Sequence, residues 1–272
     1  GGGVYATGAP AWVRPDMDGL VRLIGELRAE KPDVFINCTV GTWASPFWTI
    51  YADSVWRQGE DSGFHGDGNH REKWITYRDM LVYNRFTKTA PLYPLNSIMI
   101  HGALVGDSHN PARMPKGDAP DAVRAYAHEM WMIAASGTGL QELYISPELM
   151  TEKWWDITAN AIKWARSNAN VLTDSHWIGG DPKPLQIYGY ASWQPRKGII
   201  ALRNPKDAPQ QITGTLRQWL DLPSNVKGEM TLTSAYSDAP WKSRTVDVDE
   251  ELTIEMGNLS MVLLESVPAK KK

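Results

Sequence analysis

The sequence predicts a chain of two parts, the C-terminal half of an eight-stranded β/α (TIM) barrel followed by a β-sandwich, and three observations lead there. Up to about residue 180, helical periodicity alternates with short apolar runs; from Leu185 onward the texture becomes short alternating stretches cut by turn residues. The apolar runs of the first part are four, about what half of such a barrel contains. The boundaries that follow are 1–180 for the half barrel and 185–268 for the sandwich, with Asp181-Pro-Lys-Pro184 between them.

Taken in order, Met17, Leu20, Leu23, Ile24 and Leu27 recur at helical spacing over Pro15–Glu30, with a proline suited to the first turn and Pro32 closing the segment. Asp33–Cys38 has the length and branching of a buried parallel strand, and Ala52–Trp56 is a second short run. Gly-rich polar sequence over Gln58–Asn69 leads to a helix over His70–Phe86 and a third run, Ser97–His101. A helix near Pro120–Ala135, a fourth strand at Leu140–Ser146 and a helix at Thr151–Asn168 complete the first part. Such alternation implies parallel βα units with right-handed crossovers. An open doubly wound sheet is the alternative, although no G-x-G-x-x-G fingerprint opens a helix after any of these runs. In the second part, strands are expected at Leu185–Trp193, Gly198–Arg203, Gln211–Leu216, Glu229–Thr233, Thr245–Val248, Leu252–Met256 and Leu259–Glu265.

Composition narrows the function. With 42% hydrophobic and 22% charged residues the chain reads as a soluble globular protein, and a net charge of −3 offers no basic field for nucleic acid. The terminal Ala269-Lys-Lys-Lys272 is too short for a nucleic-acid arm. No run of about 18 apolar residues spans a bilayer, and the first residues have neither the charged start nor the apolar stretch of a signal peptide. The chain begins without methionine, as a fragment would. One cysteine, Cys38, allows no internal disulfide and no cysteine zinc cage, and reads as a small buried apolar residue. Six histidines without the spacing of a helical metal site give no metal, and no cofactor is expected. No G-x-S-x-G elbow occurs, and no base stands beside Cys38. The 13 tryptophans suit sugar faces and equally suit a barrel wall.

In β/α barrels the working residues sit at the C-terminal ends of strands. The end of the second run is the most suggestive, because Trp56, Arg57, Glu60 and Asp61 gather an aromatic, a fixed cation and two carboxyl groups. Arginine donates paired hydrogen bonds to hydroxyls, an aromatic stacks on a ring, and a carboxylic acid protonates a leaving oxygen. An ordinary loop ion pair of Arg57 is the plainer reading of the same residues. His101 at the third strand end is placed for a sugar contact or a structural hydrogen bond; His65, with Asp67, lines the pocket or caps the next helix. Trp43, near Trp48 on the loop after the first strand, is a candidate sugar platform. Arg78 and Asp79 lie within a helix, where packing or ion-pair contacts are expected.

Trp56-Arg57, three residues and then Asp61 resembles the motif of the α-galactosidase superfamily of glycoside hydrolases. Asn37-Cys38 followed by Trp43 is similar in position to a sugar-contacting strand of that superfamily, with Thr39 where its members carry an acidic residue. Tyr51–Asp61, Trp74–Asp79, Pro91–Asn96 and Arg203-Asn204-Pro205 resemble a bacterial α-galactosidase-like group, some members of which are labelled enterotoxin; nothing here resembles a toxin. The resemblance implies a retaining glycosidase acting on an oligosaccharide or glycoside, periplasmic or secreted, with Asp61 as general acid/base and Arg57 binding a sugar hydroxyl. In such an enzyme a second carboxylate stands about 5 Å from the first. The resemblance puts it at the end of a strand ahead of Gly1; Asp16 and Asp18, on or beside the first helix, are poor replacements. The chain by itself is then expected to be inactive. A noncatalytic carbohydrate-binding protein is the alternative.

Overall fold

The computed structural model describes residues 13–39, 45–89 and 93–269. Helix α1 (Val13–Glu30) leads into strand β1 (Asn37–Cys38), and a 3-10 turn at Pro46–Ile50 precedes β2 (Ser54–Trp56). Then come α2 (His70–Val82), β3 (Ile98–Val105), the short α3 (His109–Ala112), α4 (Pro120–Ala135), β4 (Leu140–Ile145), α5 (Glu152–Ser167) and α6 (Ala169–Leu172). The four strands pair in parallel in the order β1-β2-β3-β4. A spatial order that follows chain order without a reversal is the winding of a barrel and not of a doubly wound sheet. The parallel sheet is therefore half of a β/α barrel. Its edges are β1 and β4, and near them Phe35, Phe47, Ile50 and Leu143 are exposed.

Local chemistry sets the helix starts. The Asn69 side chain accepts from the backbone N–H of Arg71 and Glu72 at 3.0 and 3.1 Å, capping α2; Thr151 caps α5 by accepting from Trp154 N–H. Pro120 opens α4, where its missing N–H costs nothing. From Met130 to Ala135 every residue of α4 is buried, because α5, the parallel sheet and the second part of the chain close round it. The helix expected over His70–Phe86 stays α-helical only to Val82 and continues as a π-helical turn over Tyr83–Lys88. The widened turn lets Tyr83 meet Trp177 at 5.2 Å between rings, while Phe86 stays buried against Tyr93 and Arg85 reaches the Gln58 side chain at 3.2 Å.

The second part opens with a strand the sequence patterning missed, β5 (Ser175–Gly179), followed by β6 (Tyr188–Gln194), β7 (Lys197–Arg203), β8 (Gln210–Thr215), α7 (Leu216–Trp219), β9 (Glu229–Ser237), β10 (Arg244–Asp247), β11 (Glu251–Met256) and β12 (Met261–Pro268). Six strands form an antiparallel sheet in the order β10-β9-β12-β7-β6-β5, and β11 pairs with β8 in a second sheet. Alternation along the central strands decides what each face covers. Tyr188, Tyr190, Ile199, Ala201, Met261 and Leu263 join the core of the half barrel, whereas Ala191, Ile200, Leu202, Val262 and Leu264 join a core with β8, β11 and α7. The larger sheet is thus buried on both faces.

Where that sheet meets α2 and α4, a charge cluster is buried but for Asp238 at its outer end. Arg203 donates to Glu72 Oε2 at 2.8 Å, to Thr76 at 2.8 Å and to the Tyr188 hydroxyl at 3.0 Å; Tyr188 donates in turn to Asp79 at 2.9 Å. Arg78 pairs with Asp79 at 2.8 Å, the ion-pair contact expected of that helix. His128 on α4 has Glu72 2.8 Å from Nδ1 and Asp238 2.8 Å from Nε2. Carboxylates only accept, so both ring nitrogens carry protons and His128 is an imidazolium. Three cations (Arg78, Arg203, His128) then balance three anions (Glu72, Asp79, Asp238).

Burial alone would lower the His128 pKa, but Glu72 and Asp238 outweigh it and push it up to about 9. Burial alone would raise Glu72, but His128 and Arg203 outweigh it and hold it at about 2. A histidine raised from 6.5 to about 9 contributes stability that is complete below pH 6.5 and is lost as pH rises through 9; a glutamate lowered from 4.5 to about 2 contributes stability complete above pH 4.5 and lost as pH falls through 2. Urea unfolding should therefore show greatest stability between pH 4.5 and 6.5 with a decline toward pH 9, and in His128→Gln, a variant without the titrating group, that alkaline decline should flatten.

Candidate active site

The inner face of the half barrel carries Asn37, Ser54, Trp56, His101, Glu142 and Tyr144, linked from strand to strand. Ser54 Oγ donates to Asn37 at 2.6 Å; the Trp56 indole stacks on His101 at 5.9 Å; His101 lies opposite Glu142 in register; Tyr144 donates to Glu142 at 2.5 Å. At the C-terminal end of this face a cavity of about 780 Å³ is lined by Glu60, Asp61, Ser62, His101, Asn110 and Tyr144, among others. Its position is the one where barrel chemistry is done. A second cavity, of about 720 Å³, lies outside the strands against α4 and α5 and is lined largely by apolar groups. The carboxylate in that lining, Asp53, is engaged by Arg28 and by the backbone N–H of Ile36.

The loop after β2 is held from beneath. The Arg57 side chain is fully buried, and its guanidinium donates to the carbonyls of Gln58, Glu60 and Asp61 at 2.7, 3.0 and 3.3 Å. Desolvation lowers its pKa to about 10, which leaves it a cation at neutral pH. Gln58 at φ 65° and Gly59 at φ 97° are consecutive left-handed residues, and the turn they make aims three carbonyls at one guanidinium. From the other side, His101 donates through Nδ1 to the Asp61 carbonyl at 3.0 Å, and Asn110 donates to Ser62 at 3.1 and 3.2 Å. The backbone at Asp61 is pinned twice while its carboxylate side faces solvent.

His101 owes its placement to an irregularity. The β3–β4 register shifts between His101 and Leu104, and at Gly102 a Cβ would meet Ile133 at 2.1 Å and the Glu142 carbonyl at 2.6 Å. Only glycine allows that approach of backbones beside His101.

Of the residues expected from sequence, Glu60, Asp61 and His101 line the cavity, and Trp56 stacks behind His101. Arg57, expected at a sugar hydroxyl, lies under the loop and outside the cavity lining, with its fork on backbone carbonyls in a scaffold position. His65 also stands away from the cavity: its Nε2 donates to the Lys183 carbonyl at 2.7 Å, and Asp67 accepts from the Asp207 N–H at 3.0 Å, so that segment fastens the loop to the second part of the chain. Trp43 lies outside the described residues. Glu142 and Tyr144 were missed. Their signal was the alternation of Leu140-Gln-Glu-Leu-Tyr-Ile145, which places both on the face where His101 lies. Among the described residues no His, Cys, Asp and Glu group has the arrangement of a metal site.

No family model matches the sequence, and no curated protein matches it. Solved structures do match in fold. An Anoxybacillus α-amylase superposes with TM-score 0.55 at 11% identity over 92% of this chain and 56% of its own. A GH27 β-L-arabinopyranosidase from Geobacillus stearothermophilus, solved with arabinose, gives 0.52 at 10% identity over 92% and 55%. The α-galactosidase I of Mortierella vinacea gives 0.51 at 13% identity over 85% and 58%. The chain therefore has a glycoside hydrolase-like fold and spans a little over half the length of these neighbours.

Removing the guanidinium should release the loop. Arg57→Ala takes the donor from the Gln58 and Glu60 carbonyls and one of two from the Asp61 carbonyl, and should destabilise the chain by about 2–4 kcal/mol in urea unfolding, with faster amide exchange over residues 58–62. Arg57→Lys should rescue little, since one ammonium cannot reproduce the planar fork.

Proposed function

We propose that this chain belongs to a retaining glycosidase of α-galactosidase-like chemistry, with Asp61 as general acid/base and the nucleophilic carboxylate supplied by polypeptide outside this sequence. The observation that carries the reading is the Asp61 side chain, solvent-facing at the end of β2 on a loop whose backbone is pinned by Arg57 and His101. A proton donor that must reach a leaving oxygen needs a free carboxyl on a fixed main chain, and that is the arrangement present. The half-barrel region, 1–180, would carry the chemistry, and the sandwich, 185–268, would brace it. The exposed apolar residues flanking β1 and β4 suit further βα units at those edges.

In the proposed reaction the nucleophile attacks the anomeric carbon while protonated Asp61 gives its proton to the departing oxygen, forming a glycosyl-enzyme and an alcohol. The Asp61 carboxylate then takes a proton from water as the water oxygen displaces the enzyme carboxylate, which restores both groups. Glu60 and Trp56, with Trp43, would contact the oligosaccharide or glycoside. The resemblance of Trp56-Arg57 and Asp61 to the α-galactosidase motif and the fold shared with α-galactosidase I support this reading.

In the full-length enzyme, Asp61→Ala should cut hydrolysis of glycosides with poor leaving groups by about 10²–10⁴-fold and spare activated aryl glycosides more. Unchanged turnover of an unactivated glycoside would exclude Asp61 as the acid.

A further inference from the structure

Beyond Asp61, the cavity wall holds a second polar arrangement built from β3 and β4. Tyr144 Oη donates to Glu142 Oε2 at 2.5 Å, and its half-exposed ring meets the His101 ring edge-on at 5.4 Å. A carbonyl only accepts, so the 3.0 Å contact from His101 Nδ1 to the Asp61 carbonyl requires a proton on Nδ1, and in the neutral ring that leaves a lone pair on Nε2. That Nε2 lies 3.7 Å from Glu142 Oε2, beyond hydrogen-bond distance. Two acceptors converge there, the Nε2 lone pair of the neutral ring and a carboxylate that keeps acceptor capacity beside the Tyr144 bond, with no donor between them among the described residues.

We propose that His101 and Glu142 bind a pair of adjacent hydroxyls on a pyranose ring, one donating to Nε2 and the other to the carboxylate, with Tyr144 holding the carboxylate and offering its ring to the sugar. This rests on the reading of the cavity as a sugar site and names the group it grips. Adjacent hydroxyls supply two donors at short separation, which the acceptor pair requires; an anionic ligand supplies none and meets the Glu142 charge.

Protonation state supports the arrangement. Burial holds the His101 pKa below 6.5, and Arg57 acts in the same direction, against the Asp61 carbonyl and carboxylate and Glu142. The ring is therefore neutral at pH 7. The groups facing it are Arg57 and Asp61 from the loop after β2, and Glu142 and Tyr144 from β4. Acidification converts Nε2 into a donor that pairs with Glu142, so binding should weaken as pH falls through the His101 pKa.

The test is titration of the chain with methyl α-D-galactopyranoside and methyl α-D-glucopyranoside, followed by the ¹⁵N resonances of the His101 ring. The expected results are an Nδ1–H tautomer in the free protein, an Nε2 shift on binding, and about tenfold weaker binding in Glu142→Gln, the loss of one hydrogen bond to a charged group. Glu142 is partly exposed and glutamine is isosteric, and unfolding curves matching the wild type will show that the variant folds. An Nε2–H tautomer, equal affinity of Glu142→Gln and wild type, or no binding of either glycoside overturns the hydroxyl-pair site. None of these outcomes bears on Asp61 as the acid, which is judged separately by hydrolysis in the full-length enzyme.

Discussion

The buried charge cluster around Glu72 joins the two parts of this molecule. One carboxylate on α2 accepts from Arg203 of the large antiparallel sheet and from His128 of α4, and His128 spans onward to Asp238 beyond β9. Removing the Glu72 carboxylate would leave the buried Arg203 and His128 charges without their shared partner, a loss of about 3–5 kcal/mol. Each charge therefore depends on the others being in place, and so do the elements that carry them. Because α2 is held in this way, so is the loop between β2 and α2, which carries Asp61.

A second layer of the same logic operates at the loop itself. Glu129, fully buried on α4, accepts from Trp74 Nε1 at 2.8 Å and from the Leu104 N–H at 3.1 Å, and pairs with Arg71. The Arg71 guanidinium lies over the Trp154 and Tyr126 rings at 5.0 and 5.4 Å. These contacts knit α2, β3, α4 and α5 into one support. His101 of that support and Arg57, just after β2, then converge on the carbonyl of Asp61. Asp61 is left with an immobilised backbone and an exposed side chain, the combination the proposed acid/base role calls for.

The neighbours in fold include an α-amylase, an α-galactosidase and a β-L-arabinopyranosidase, proteins named for different activities on a shared frame. A barrel separates stability from chemistry, since strand ends and loops vary while the helix-facing core persists. Here the helix-facing Val55, Ile98 and Ile100 share one apolar cluster with Ile133 of α4, and Trp56, His101, Glu142 and Tyr144 gather on the inner face. The carbohydrate chemistry proposed for this chain therefore rests on those side chains and on Asp61, with the fold as context.

Local rules in the sequence were enough to determine much of the architecture. Periodicity placed α4 at Pro120–Ala135, the four parallel strands within a few residues, and most strands of the sandwich, because each signal lies within one turn or one pleat of its own element. The strand-end rule likewise pointed to Asp61 and His101. What tertiary structure alone decided were matters of register and partner. Strand β5 was missed because its Ser-His-Trp-Ile-Gly sequence has no alternation and is defined by pairing with β6. Arg57 became a scaffold because a loop folded back over it, and His65 became a tether because Lys183, far along the chain, came within reach. Glu142 met His101 through the register of two parallel strands separated by α4. Composition and spacing specify which elements form; which side chains meet depends on long-range packing, because those contacts join residues whose sequence separation carries no local signal.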